Sequence, residues 1–397
     1  MLICGAHAYT PGRDLGVVSV RTDGGRIAEI GPSLARVAGE EVLPADGLTL
    51  LPGFVDIHSH GRGGADFCDA TDAAFEVIGR GKLADGVTSF LATGLTRPEE
   101  NLAELCRCAG RYREKEAERA GGESGGATCL GVHLEGPFFN GRMAGAQNPA
   151  YLRDPDAEMV LRLNAISSVL KVSLAPELPG AEDCIRRLAA AGIVTSGGHS
   201  EADYETFERA RAAGMTHLTH FCNAMMPIHH LRPTMVTGGL LADDVFLEII
   251  TDGVHLSDPM IRLIAKAKGP DRLMVITDAM CAAGEPDGIY SLGGLRVRVE
   301  RGKATLAGVP YDPGAVVSNV AGSVALYPQC VRRFARVTGW PLEDVVKATG
   351  YNQLRSLGIA DRGEIAVGQV ADLVLVDGNL NPRATVVGGC TLFREGC

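Results

Sequence analysis

Eight short apolar runs, most of them followed by an amphipathic stretch, constrain this chain more than any other feature of its sequence. They read "GFVDIH" (53–58), "VTSFLAT" (87–93), "CLGVHLE" (129–135), "VLKVSLAPE" (169–177), "IVTSGG" (193–198), "THLTHF" (216–221), "VFLEIIT" (245–251) and "LMVITD" (273–278). Helix-like segments such as "DAAFEVIGRGKLADG", "GAEDCIRRLAAAG" and "DPMIRLIAKAKG" lie between them, several closing on glycine as helices commonly do. Strands that are apolar almost throughout are buried on both faces, the state of parallel strands covered by crossover helices. Eight such repeats predict an α/β fold, a closed TIM-like (β/α)8 barrel.

The flanks follow another pattern. Residues 1–52 and 363–397 are short strand-like pieces separated by turns, with "RTDGGRIAEIG" reading as a hairpin. The two ends are expected to pair into a small β-sandwich domain beside a catalytic barrel spanning 53–362. "GIYSLGGLRVRVERGKATLAG" (288–308) is expected to be an inserted β-hairpin, and "GGESGGA" (121–127) a surface loop.

Bulk properties narrow the function class. With 46% hydrophobic and 22% charged residues, the composition is that of a soluble globular protein. A formal net charge of -10 argues against a nucleic-acid or anionic-membrane surface, both of which need a basic face. No apolar run approaches the ~20 residues of a membrane helix, and the N-terminus lacks the pattern of a signal peptide. The eleven cysteines include no CxxC and are expected to be reduced thiols, which points to the cytoplasm.

Reactive groups of such barrels gather where strands end and βα loops begin. His58 and His60 end the first strand, one residue apart and so on one face. Glu135 ends the third strand and His199 the fifth, His217 and His220 mark the sixth, His255 follows the seventh, and Asp278 ends the eighth. Any one of them alone reads more simply as a hydrogen-bonded core or loop residue; the set along one rim predicts a metal centre. Imidazoles with a carboxylate suit a borderline divalent ion, zinc first, then iron, manganese or cobalt. Such an ion lowers the pKa of a bound water to ~7. Asp278 is then the expected base that takes the water's proton and passes it to a leaving group.

The motifs carrying these residues are "PGFVDIHSHG", "GVHLEGPF", "GGHS", "THLTHFCNAM", "DGVHLSDP" and "ITDAMCAAGEPDGIYSLGG". Together they resemble the N-acetylglucosamine-6-phosphate deacetylase family of the amidohydrolase superfamily, over nearly the whole chain. The resemblance implies that His220, rather than His217, joins Glu135 and His199 at the principal metal site. It implies that His58 and His60 support a second ion, so that one or two are bound. Asn223, Ala224 and His255 would contact the substrate, in a homodimer acting on a small amino sugar.

Three departures fall on the substrate side. "GRMAGAQNP" places Met143 and Ala144 where the family usually has lysines and Gln147 where it has histidine, and "HHLRPT" places Leu231 at an arginine position. A phosphate dianion favours paired cations. Gln147 is kept among the substrate contacts, and His230 and Arg232, with Arg62, Arg142 and His229, are the candidates to replace the lost charge. The expected reaction is hydrolysis of the acetamido group of an N-acetylated amino sugar phosphate. The alternatives are the same reaction on an unphosphorylated N-acyl sugar, and an inactive scaffold of the same fold.

Overall fold

The computed structural model describes residues 1–118, 125–312 and 314–396, so residues 121–124 of the Gly/Ser stretch lie outside the described residues. The eight predicted strands are all present as β1 (Phe54–Asp56), β2 (Val87–Gly94), β3 (Thr128–Glu135), β4 (Val169–Leu174), β5 (Val194–Gly197), β6 (His217–Leu218), β7 (Phe246–Ile250) and β8 (Leu273–Ile276). They run parallel, each hydrogen-bonded to the next in chain order from β1 to β8. Every residue of β2 and of β8 is buried, as their unbroken apolar character requires.

Helices α1 (Asp72–Ala84), α2 (Glu99–Glu118), α3 (Ala157–Ile166), α4 (Ala181–Ala190), α5 (Tyr204–Ala213), α6 (Met235–Leu241), α7 (Asp258–Lys268) and α8 (Tyr327–Thr338) follow the eight strands in turn. Local chemistry sets their ends. The Ser257 hydroxyl caps α7 by accepting from the Met260 amide, with Pro259 in the first turn, and Gly214 ends α5 at φ 118°. Their apolar faces pack on the strands to build the main core, which includes Phe54, Phe75, Phe90, Phe207 and Phe334.

The seam between β1 and β8 carries no strand ladder and is closed by other bonds. The Asp278 amide donates to the His58 carbonyl at 2.9 Å, and the Thr277 hydroxyl donates to Asp56 Oδ2 at 2.7 Å. The buried Tyr327 hydroxyl lies 2.9 Å from the carbonyl of Val275 and 3.1 Å from those of Val55 and Thr349, tying both seam strands to the C-terminal helices.

Both ends of the chain enter one eight-stranded sheet: Leu2–Thr10, Arg13–Asp23, Arg26–Gly31, Val42–Pro44, Thr49–Pro52, Leu373–Val376, Pro382–Val387 and Cys390–Arg394. Thr49–Pro52 pairs antiparallel with Leu373–Val376, and a separate core of Ile3, Val20, Leu50, Leu373 and neighbours lies on this sheet. Gly24 and Gly25 turn the expected hairpin, both at positive φ. After β8 the chain forms a three-stranded antiparallel sheet, Gly288–Leu292, Leu295–Glu300 and Lys303–Leu306, one strand more than the expected hairpin. The described cysteines are free thiols. No helix among the described residues is long and apolar enough to cross a membrane.

Candidate metal centre and active site

Polar side chains line the barrel interior above an apolar plug of Val55, Ile57, Leu91, Ile250, Met274 and Ile276. His58 and His60 follow β1, Glu135 is the last residue of β3, and His199, His220 and Asp278 each lie two residues beyond their strands. These last three adopt left-handed backbone conformations, φ 47°, 30° and 51°. Such a kink costs ~1–2 kcal/mol for a side-chain-bearing residue and persists only where its surroundings hold it. Here Asp278 is held on both sides: its amide donates to the His58 carbonyl, and its own carbonyl accepts from the Ser323 amide at 2.7 Å. At each of the three positions the kink ends the strand, and the side chain joins the buried cluster.

Two buried groups result, and both include Glu135. In the first, Glu135 Oε1 lies 3.1 Å from His220 Nε2 and 3.4 Å from His199 Nε2, and the two imidazole nitrogens are 3.0 Å apart. In the second, His60 Nε2 lies 2.9 Å from Asp278 Oδ1 and 3.2 Å from Glu135 Oε2. His58 Nε2 lies 3.3 Å from Glu135 Oε1 and 3.5 Å from Asp278 Oδ1.

The outer ring nitrogens fix the tautomers. His199 Nδ1 donates to the Met143 carbonyl at 2.8 Å, His60 Nδ1 faces the Thr93 carbonyl at 3.3 Å, and His58 Nδ1 is 3.1 Å from Glu248 Oε2. Carbonyl and carboxylate oxygens only accept, so Nδ1 carries the hydrogen and the Nε2 lone pair faces inward. Lone pairs and carboxylate oxygens thus converge, and buried His58 Nε2 has no well-formed hydrogen bond among the described residues. A divalent cation resolves that arrangement, and spacings of about 3–3.5 Å suit ligand atoms sharing one ion. The electrostatics favour a positive charge at the same place: burial would depress the His58 imidazole, yet the Glu135 and Asp278 carboxylates lift it to about 9, so a proton takes up Nε2 until a cation displaces it. His60 is raised against its burial by the same two carboxylates, and the histidines in turn hold Glu135 and Asp278 below the usual carboxylate range despite burial. The residues therefore fit a divalent ion.

A cavity of about 260 Å³ opens over this centre. Gln147 lines it but also orients Glu135: its side-chain amide donates to Glu135 Oε2 at 2.7 Å while its oxygen accepts from the Thr96 amide at 2.8 Å. Asn223 and Ala224 line the same cavity, Asn223 held by bonds to the carbonyls of His220 and Phe221. His255 lines it too, its Nδ1 2.8 Å from Asp252 Oδ2. Against its burial, the Asp252 carboxylate raises this imidazole above its ordinary value.

His230 and Arg232 are not brought to this cavity. Both are exposed on the loop after β6, where His229 Nδ1 accepts from the amides of Leu231 and Arg232 and turns the loop on itself. Arg62 is bound to Asp85 at 2.8 Å and Arg142 to Glu201, and neither lines the cavity. No lysine or arginine among the described residues does. Met143 points its side chain into the protein and serves through its carbonyl. His133 and His217 are buried beneath the centre, His133 bonded to Ser173 Oγ at 2.8 Å and His217 to Thr216 Oγ1 at 2.9 Å. Sequence reasoning passed over Lys171 and Glu248, which face each other across the interior; each was visible as a lone charge in an apolar strand.

The amidohydrolase family model matches residues 49–391. The chain is 35% identical over 370 residues to N-acetylglucosamine-6-phosphate deacetylase of Lysinibacillus sphaericus, covering 92% of this chain and 90% of that protein. It is 36% identical over 355 residues to the Bacillus subtilis enzyme of the same name, covering 88% and 86%. Among solved structures, N-acetylglucosamine-6-phosphate deacetylase of Thermotoga maritima superposes with a TM-score of 0.88 at 33% identity, covering all of both chains. A variant of the Mycobacterium smegmatis deacetylase in complex with N-acetyl-D-glucosamine-6-phosphate also superposes with a TM-score of 0.88 at 33% identity, covering 99% of each chain. This chain belongs to the amidohydrolase family, within its N-acetylglucosamine-6-phosphate deacetylase branch.

Proposed function

We propose that this protein hydrolyses the acetamido group of N-acetylglucosamine-6-phosphate, releasing acetate and the free amino sugar phosphate. The observation that carries this reading is the convergence of Glu135, His199 and His220 beside Asp278 at the mouth of a cavity sized for a monosaccharide. The names borne by relatives along nearly the full chain support the substrate.

Glu135, His199 and His220 would hold the principal ion, taken to be zinc, and His58 and His60 would complete a second position with Glu135 and Asp278. A bound divalent ion supplies Lewis-acid polarisation of the amide carbonyl and a more acidic water. Asp278 accepts the proton of the attacking water and returns it to the departing nitrogen, so that the C–N bond breaks to an amine. His255, paired with Asp252, which favours its charged form, donates a hydrogen bond to the acyl or sugar oxygens, and Asn223 and Ala224 fix the pyranose. The protein is taken to work in the cytoplasm as a homodimer.

A second reading, the same reaction on an unphosphorylated N-acetyl sugar, is motivated by a cavity lining that holds no lysine or arginine among the described residues, and the relatives' names speak against it. Acetate release from N-acetylglucosamine with and without the 6-phosphate separates the two. A kcat/KM at least tenfold higher for the phosphorylated sugar supports the first; the reverse order refutes it.

A further inference from the structure

Beneath the metal centre a lysine and a glutamate are sealed inside the barrel. Lys171 of β4 and Glu248 of β7 are both fully buried, and the lysine ammonium donates to Glu248 Oε1. Glu248 Oε2 accepts from His58 Nδ1 at 3.1 Å. Burying such a pair carries a desolvation cost of several kcal/mol per ion, and apolar residues of similar volume often serve stability as well or better. The pair is therefore poorly explained as a stabilising contact, and among the described residues its hydrogen bond to another side chain is the one to His58.

We propose that Lys171 and Glu248 are positioning residues that hold His58 in its Nδ1–H tautomer with Nε2 aimed at the metal, and so set the affinity of the position built by His58, His60, Glu135 and Asp278. This rests on the metal reading above. Glu248 supplies the fixed acceptor that defines ring orientation and tautomer. Lys171 donates to the other oxygen, Glu248 Oε1, and so fixes the orientation of the carboxylate with Oε2 toward His58 Nδ1. The position formed by Glu135, His199 and His220 has its own outer anchor, the Met143 carbonyl on His199, and does not depend on the pair.

Two double variants isolate the contact to His58, because both remove the ion pair and differ only in the acceptor. Lys171→Met/Glu248→Leu leaves Nδ1 without a partner, whereas Lys171→Met/Glu248→Gln keeps an amide oxygen there. Metal-stripped full-length parent and variants are titrated with Zn2+ by calorimetry, and 15N-histidine NMR reads the tautomer of His58 in the metal-free state above pH 9, where the parent imidazole is mostly neutral. The Leu variant is expected to bind Zn2+ 10–100-fold more weakly at the His58 position, to keep the other position within threefold, and to lose the single Nδ1–H signature. The Gln variant is expected to restore the tautomer and most of the affinity. Equal Zn2+ affinities in the Leu and Gln variants, or an equal loss at both positions, overturns the assignment. A parent chain that takes up no Zn2+ overturns the metal reading itself, a separate outcome. Should the Leu variant fail to fold, the Gln variant decides: a mixed His58 tautomer there refutes the proposal.

Discussion

Replacing Asp278 with asparagine removes a proton acceptor and leaves the backbone nearly undisturbed. The residue sits at φ 51°, a left-handed conformation that asparagine accepts about as readily as aspartate. Its main-chain bonds to His58 and Ser323 are unaffected by the change. On the proposed mechanism the reaction then loses its base, worth typically 10²–10⁴-fold in rate, or about 2.7–5.4 kcal/mol of barrier. An ion held by Glu135, His199 and His220 would not involve this side chain and is expected to stay bound. Asp278→Ala should lose the same turnover but also ~1–2 kcal/mol of stability, because alanine resists the left-handed backbone. Acetate release gives kcat, elemental analysis gives metal per chain, and urea unfolding compares the two variants. An asparagine variant that retains metal and turns over within threefold of the parent would remove Asp278 from the mechanism.

His220→Asn should lower bound metal by one ion per chain, and an unchanged metal count would show that another residue is the ligand. Tyr327→Phe deletes the hydroxyl that bridges β1 and β8 and should cost about 1–3 kcal/mol of stability, read from the urea midpoint with metal content unchanged; an unmoved midpoint refutes the seam argument. Because Asp252 raises His255 above 6.5, the stabilisation from the charged pair is fully present below 6.5 and is lost as pH rises through the higher folded value. KM should therefore rise on the alkaline side, and Asp252→Asn should move that limb to lower pH; superimposable profiles would exclude His255 as a charged substrate contact.

The barrel was legible because parallel strands buried on both faces leave little room for polar residues, so each appears as an apolar block. The exception in length is instructive. "THLTHF" suggests six residues, but β6 is only His217–Leu218, because His220 turns into the left-handed region to reach Glu135. The buried cluster that could hold a metal was visible as histidines and carboxylates placed at strand ends. Its support was not: Lys171 and Glu248 are 77 positions apart and meet only when the barrel closes. Gln147 was expected as a substrate contact, and its grip on Glu135 depends on a loop path that no local pattern encodes. His230 and Arg232 were chosen for charge and motif neighbourhood, which say nothing about the direction a surface loop takes. The third strand after β8 lies inside the expected insertion, 288–308, whose turn at Arg301 and Gly302 was not counted as a second reversal.

The pairing of Thr49–Pro52 with Leu373–Val376 has a consequence for biosynthesis. About 320 residues separate Pro52 from its partner Leu373. At ~5–20 residues per second, the early segment waits roughly 16–64 s after emerging from the ribosome before its partner is made. During that interval Leu50 and Leu51 form an unpaired, apolar edge, open to capture by a chaperone or by another nascent chain. Slower translation of the second half would lengthen the exposure, so soluble yield of this protein should respond to synonymous codon choice far from the segment at risk.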